Sequence, residues 1–323
     1  MPFVNKEEFL LPNGLTIWLN GGAGSGKTLQ GMTFPRVMAL TFDPTGLDTL
    51  KQPENQKYLD NLIAHVPFNG LPLNDVFQFT EKPGEQSIYG AIALARQLGP
   101  LGEKKIDTVF LDNFNYLASL KWTQICESKG VVWTEKQGMD RKESDQRAWY
   151  DALGSYLDHL VLQNLLPLAT RDRLNVVVSS HVQRESKNTI EGIQSARTPT
   201  AIEQQAQSKR QVNLDSDLSP QVLGSFRQRI AGLPSAMIYL EDRLEQDAEG
   251  KEVIQYYAYC RRTRSESLDT VILAKNRFGL GTLRLTGGNL YKTIIAKIAN
   301  ANAAQSSTES TTTTTTKTAK GAQ

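Results

Sequence analysis

Leu15-Thr16-Ile17-Trp18-Leu19-Asn20-Gly21-Gly22-Ala23-Gly24-Ser25-Gly26-Lys27-Thr28 decides the reading of this chain. A short apolar run leads into G-x-x-x-x-G-K-T, and a segment able to form a helix follows. Glycines at Gly21, Gly22, Gly24 and Gly26 let the backbone reach positive φ and turn its N–H groups around phosphate oxygens, with Ala23 and Ser25 between them. Lys27 has the length to reach β- and γ-phosphates. The Thr28 hydroxyl can ligate Mg²⁺, and the helix N-terminus favours an anion. The stretch therefore predicts a strand, a phosphate-binding loop and a helix, with residues 21–28 holding a nucleotide such as ATP and Mg²⁺.

The rest of the chain fits that beginning. Its 323 residues suffice for one large α/β domain, and 39% hydrophobic residues can fill a core. A net charge of +2 excludes a globally basic nucleic-acid binder, so any such contact must be local. Cys126 and Cys260 have no metal or redox spacing and read as reduced thiols. No secretory signal and no membrane-length apolar run is found, so a cytoplasmic protein with no membrane contact is expected.

Outward from the loop, Pro12-Asn13-Gly14 is a turn that closes a lead-in over residues 1–13. Val37–Phe42 is a second strand ending at Asp43-Pro44, where proline disfavours helix at Asp43. Residues 44–75 read as irregular, Val76–Phe79 as a strand and Ser87–Leu98 as a helix. Asp107–Leu111 is a strand ending at Asp112, and residues 126–143 are a polar surface excursion. Trp149–Leu166 has apolar residues at helical spacing, and Asn175–Ser179 is a β-branched strand. Ser235–Leu240, Val253–Arg261, Thr270–Ala274 and Gly281–Leu285 read as later strands. Alternating strands and helices predict a mostly parallel sheet flanked by helices, in one domain over residues 14–298. The polar segment 183–218 is too long for an ordinary loop and is read as mobile or functional. Residues 299–323, with Thr311–Thr316, are too polar to order themselves.

Several side chains follow as candidates for chemistry. Asp112, at a strand end, is placed to hold the Mg²⁺ that Thr28 contacts. Asn113 stands where many hydrolases carry a second acid, which leaves the base to be found elsewhere. Asp43 is the first choice, orienting a water toward the γ-phosphate, with Asp48 as the alternative. His181 follows the NVVVSS run, where a polar group can report the γ-phosphate to the following loop. Lys275 and Arg277 lie two apart, so an extended backbone points both to one side, where they can stabilise phosphoryl charge. Basic residues between Arg184 and Arg210, and the cluster Arg261, Arg262 and Arg264, are candidate backbone contacts for nucleic acid.

Together these features resemble the RecA-like P-loop ATPases, an AAA domain with a RecA core. More narrowly they resemble phage-encoded proteins of single-strand annealing and recombination. The likeness rests on Asp43 at the place of a catalytic carboxylate, on VVVSSH as a sensor strand before a long polar loop, and on AKNRFG as a lysine-and-arginine finger segment. It implies a RecA-like fold with antiparallel C-terminal strands and Mg²⁺-dependent ATP hydrolysis. It also implies that Lys275 and Arg277 act across a subunit interface of a ring or filament. The implied partners are single-stranded DNA, a single-strand DNA-binding protein and further copies of the chain. The competing readings are a DnaB-type helicase or DNA-packaging motor, and a nucleotide-gated scaffold with little turnover.

Overall fold

The architecture was read from a computed structural model, which describes residues 14–129, 143–185, 217–220, 226, 230, 232–247, 249–265, 270–272, 274–285 and 289–298. In chain order, β1 (Thr16–Gly21) leads into the phosphate loop and α1 (Lys27–Gly31), then β2 (Val37–Thr41). Two 3₁₀ segments, Asp48–Lys51 and Pro53–Asn61, precede β3 (Leu62–Pro67), α2 (Leu73–Val76) and α3 (Ile88–Leu98). Next come β4 (Thr108–Asp112), α4 (Phe114–Ser128) and α5 (Glu143–Asp158). The last of these continues through a wider turn at His159–Leu165 into α6 (Leu166–Thr170). β5 (Asn175–Ser180), β6 (Val182–Glu185) and β7 (Asp217–Pro220) follow, then the long pair β8 (Ala236–Gln246) and β9 (Glu252–Tyr259). The chain continues with β10 (Thr263–Ser265), β11 (Thr270–Ile272), β12 (Lys275–Asn276), β13 (Thr282–Arg284) and a final helix, α7, over residues 290–298.

The main sheet runs β13-β9-β8-β1-β5-β4-β2-β3, with β12 paired to β8. From β8 to β3 all neighbours are parallel. The pairs β8–β9, β9–β13 and β12–β8 are antiparallel. This is a P-loop α/β fold, a mostly parallel sheet flanked by helices, with antiparallel strands added toward the C-terminus. A parallel sheet with helices on both faces must be apolar on both, and β1, β2 and β4 are buried at every position. Alternate residues feed two cores. Trp18, Met38, Leu40, Val109, Leu111, Val176 and Val178 pack with α3, α4 and α5. Ile17, Leu19, Val37, Ala39, Phe110 and Val177 pack with α1 and α7.

Crossovers place the carboxyl ends of β1, β5, β4 and β2 along one edge, the usual place for a ligand crevice in such sheets. β5 lies between the phosphate-loop strand and the acid strand, with Thr16–Asn20 paired to Val176–Ser180 on one side and Thr108–Leu111 paired to Asn175–Val178 on the other.

Four expectations are corrected. Residues 44–75 contain β3, an edge strand whose alternate residues are half-buried and exposed. His65 interrupts its apolar pattern and its ring bonds the Thr41 hydroxyl at 2.8 Å. Val76–Phe79 is no strand: Val76 ends the short helix α2 and Phe77 caps it, because Pro72 starts a turn in which Val76 and Phe77 N–H bond back to Pro72 and Leu73. The segment 183–218 is strand at both ends, since β6 and β7 pair antiparallel and join β10 and β11 in a second sheet, ordered β10-β11-β7-β6. The excursion expected over 126–143 begins inside α4. Residues 1–13, most of 183–218 including Lys187, Arg197, Lys209 and Arg210, and 299–323 lie outside the described residues.

Candidate active site

The phosphate loop forms as its residue types dictate. Gly24 and Gly26 have φ of 80° and 81°, the left-handed region that side chains rarely adopt. Gly26 is the N-cap of α1 without a side-chain cap, so the first helical N–H groups face the loop rather than a partner in the chain. Ser25 closes the turn by donating from its hydroxyl to the Gly22 carbonyl at 2.9 Å. Lys27 folds back under the loop, its Nζ donating to the carbonyls of Gly21 at 3.0 Å and Gly22 at 2.6 Å. Burial lowers its pKa to about 8, against the attraction of Asp112 and Asp242. A buried cation inside an anion-binding loop has surrendered its hydration and gains most when a phosphate arrives.

Beside it, Thr28 donates to Asp112 Oδ2 at 2.8 Å, and Ser179 donates to Oδ1. Asp112 is buried, and desolvation raises its pKa, opposed by the two hydroxyl bonds and by Lys27, with Asp43 adding a like-charge push. Asp43 follows β2, and Thr45 holds Oδ1 through its N–H at 2.9 Å and its hydroxyl at 3.0 Å. His181 follows β5. Its N–H donates to Asn115 Oδ1 at 2.6 Å. Burial, then the charge of Lys27, lower its imidazole pKa, against a bond to the Gly21 backbone and the charge of Asp43. The ring is therefore neutral at pH 7.

One open cleft of about 220 Å³ has Ala23–Leu29, Asp43, Thr45, Gly46, Thr49, Asp112, Asn113, His181 and Tyr256 in its wall. The structure thus brings together Lys27, Thr28, Asp43, Asp112 and His181. Asp48, the alternative base, instead opens a 3₁₀ turn and pairs with Lys51. Asn113 proves to be a cap, its Oδ1 accepting from the N–H groups of Asn115 at 2.9 Å and Tyr116 at 3.3 Å at the start of α4. Asn is a favoured residue there, which accounts for an amide where a second acid was sought.

Lys275 and Arg277 are elsewhere. Lys275 pairs with Met237, and Arg277 N–H bonds the Ser235 carbonyl at 3.1 Å, beside the start of β1. Five residues of strand separate that level from Gly21, roughly 17 Å, beyond the reach of an arginine. Neither cation serves the cleft of its own chain.

Reading residue by residue missed Ser179 as a partner of Asp112, Asn115 as the support of His181, and Tyr256 as a wall of the cleft. Ser179 was visible as the penultimate polar residue of an apolar strand. Nothing local marks Tyr256, which comes from a strand some 230 residues beyond the loop.

The oxygen donors fit a hard cation. Thr28 and Asp112 offer adjacent oxygens, with Asp43 near them. Among the described residues no group of three or more His, Cys, Asp or Glu side chains forms a metal cage. Thr28 and Asp112 match the way Mg²⁺ binds, through one or two protein oxygens together with substrate phosphates and waters.

A family profile described as AAA domain matches residues 13–277. The chain belongs to this AAA domain family. The match spans every element that builds the cleft, and membership carries nucleotide binding and NTP hydrolysis as the general chemistry of the domain. Among solved structures, this AAA domain protein is similar to the flagellar accessory protein FlaH from Methanocaldococcus jannaschii. Their identity is 10%, over 77% of this chain and 78% of that one, with a TM-score of 0.30. No curated protein matches it. Among the described residues of the AAA domain protein, no helix is long and apolar enough to cross a membrane.

Proposed function

We propose that this protein is a Mg²⁺-dependent ATPase that acts on single-stranded DNA as a homo-oligomer, in recombination, annealing or repair. The observation that carries the ATPase reading is the chain Thr28–Asp112–Ser179 set beside Lys27 in one cleft. Lys27 leaves the Gly21 and Gly22 carbonyls for the β- and γ-phosphate oxygens. Thr28 and Asp112 would hold the magnesium ion, which would supply charge neutralisation and polarisation of the γ-phosphoryl group. Asp43, its plane fixed by Thr45, orients a water and accepts its proton. His181 exchanges its ring bond to the Gly21 carbonyl for one to the γ-phosphate, and so reports whether that phosphate is present.

The DNA reading rests on the connection beyond His181. One residue separates β5 from β6, and β6 belongs to the second sheet with β7, β10 and β11. A change in hydrogen bonding at His181 therefore acts at the start of β6, which leads toward the segment read as the DNA-contacting one. A RecA-like protein would contact a single strand there. β11 in turn runs on through Ala274 to Lys275 and Arg277, whose distance from their own cleft supports action on the cleft of a neighbouring copy. Such a contact joins unlike surfaces and generates a ring or a filament.

The test is ATP hydrolysis with Mg²⁺, with and without single-stranded DNA, across a salt series. Stimulation by single strands that fades with salt supports the reading. Turnover indifferent to DNA overturns the DNA assignment and leaves an ATPase with another partner, while ATP binding without turnover favours the nucleotide-gated scaffold. Unwinding of a forked duplex would instead point to a helicase.

A further inference from the structure

The cleft has two poles. Asp43, Asp112 and His181 stand on the side of β2, β4 and β5, and Tyr256, on β9, stands on the other side of the phosphate loop. A triphosphate seated on the loop with its γ end at the carboxylates directs its nucleoside toward β8 and β9. The Tyr256 ring already lies against the loop there: a Cβ added at Gly26 would sit 3.1 Å from both Cδ1 and Cε1 of that ring. Burial, then the charges of Asp242 and Tyr58, raise the pKa of the Tyr256 phenol, and Asp242 stands opposite Tyr256 in the strand pair. Tyr58 and Tyr256 both pack on the core cluster that contains Leu29 of α1.

Past the body of the sheet, β8 and β9 continue as a two-stranded ribbon in which Asp242 pairs with Tyr256 and Leu244 with Ile254. Residues two apart on a strand share a face, so these four side chains lie on the face that meets the nucleotide cleft. Leu244 is 71% exposed and Ile254 59% exposed, although they form a directly opposed apolar pair. An aromatic wall, an apolar pair and one carboxylate beside a phosphate loop have the composition of a site for a flat heteroaromatic ring.

We propose that this ribbon face is the nucleobase half of the site, favouring a nucleoside triphosphate over bare phosphates. Tyr256 stacks on the base, Leu244 and Ile254 cover its edge, and Asp242 accepts a hydrogen bond from the nucleoside. The inference deepens the ATPase reading and rests on it.

The experiment compares ATP with inorganic tripolyphosphate, which carries the phosphates without a base. Both are titrated calorimetrically into the full chain with Mg²⁺, for the native protein, Tyr256→Ala, Tyr256→Phe and the double variant Leu244→Ser/Ile254→Ser. Tyr256→Ala is expected to lose about tenfold or more in ATP affinity, the scale of one base–aromatic stack, and to bind tripolyphosphate as the native chain does. Tyr256→Phe keeps the ring and retains ATP affinity. The double variant changes two exposed residues, keeps the fold, and weakens ATP but not tripolyphosphate; it decides the matter if Tyr256→Ala fails to fold. Equal losses for both ligands would show Tyr256 merely propping Gly26 and would overturn the proposal. Native-like ATP binding in both Tyr256→Ala and the double variant would do the same. A native chain that binds ATP and tripolyphosphate equally overturns the base site alone; one that binds neither overturns the ATPase reading with it.

Discussion

Replacing Lys27 by Met removes a charge that the folded protein carries at a cost. Burial brings the Lys27 ammonium from its ordinary value of 10.5 to about 8, while Asp112 and Asp242 pull the other way. A tenfold change in acidity corresponds to about 1.4 kcal/mol, so keeping Lys27 charged at neutral pH costs the fold about 3 kcal/mol. Methionine retains much of the buried stem and removes that cost. Little is lost in exchange at the carbonyls. Gly22 still accepts from the Ser25 hydroxyl and N–H, and Gly21 keeps its bond to the His181 ring. Asp112 does lose a favourable neighbour, which reduces the gain. Without nucleotide at pH 7, Lys27→Met is expected to be more stable than the native chain by about 1–2 kcal/mol.

The pH dependence follows with a definite sign. Between pH 8 and 10.5 the unfolded native chain still holds the lysine proton while the folded chain has released it, so native stability rises with pH across that window. Lys27→Met lacks this rise. Urea denaturation at pH 7 and pH 9.5 measures both effects, and repetition with ATP and Mg²⁺ adds the functional side. Ligand stabilises the native chain by mass action and leaves the variant unmoved. A variant less stable than native at pH 7, or one whose stability still climbs through the same window, would refute the account of Lys27 as a destabilising buried cation.

Other expectations follow from the same geometry. Asn113→Ala removes the cap of α4 and should cost about 1 kcal/mol in thermal or urea unfolding while ATP turnover persists; loss of turnover in a folded variant would give Asn113 a chemical role. Asp112→Asn should abolish Mg²⁺-dependent hydrolysis, and unchanged metal dependence would remove Asp112 from the site. At Gly31 an added Cβ would come within 2.6 Å of the Phe110 ring. Gly31→Ala should therefore cost about 1–3 kcal/mol by overpacking, and an unchanged melting temperature would mean that the ring yields freely. Arg277→Ala should cut turnover, and mixing it with Lys27→Ala should restore part of the activity if one copy completes the cleft of the next. Absence of rescue at every ratio would argue against an intersubunit site.

What could be read along the chain was what local chemistry dictates. The glycine spacing, Lys27 and Thr28 specify a phosphate loop because positive φ and short-range reach are properties of those residues. The runs ending in Asp43, Asp112 and Ser180 showed as strands because a parallel sheet covered on both faces requires near-continuous apolar sequence. β3 was illegible for the converse reason: it lies at the sheet edge with one face exposed, and His65 breaks its pattern. Asn113 looked like a missing acid because a strand end and a helix cap coincide within two residues.

Only the tertiary structure decided which distant residues share the cleft. Inserting β5 between β1 and β4 put Ser179 on Asp112 and His181 beside Gly21. The antiparallel return of β9 laid Tyr256 on Gly26. Pairing of β12 with the start of β8 carried Lys275 and Arg277 to the far end of β1, away from the site their charges suggested. Spacing along a sequence fixes reach within one element, but strand order and register set distances between elements, and these follow from how the two apolar faces of the sheet are buried.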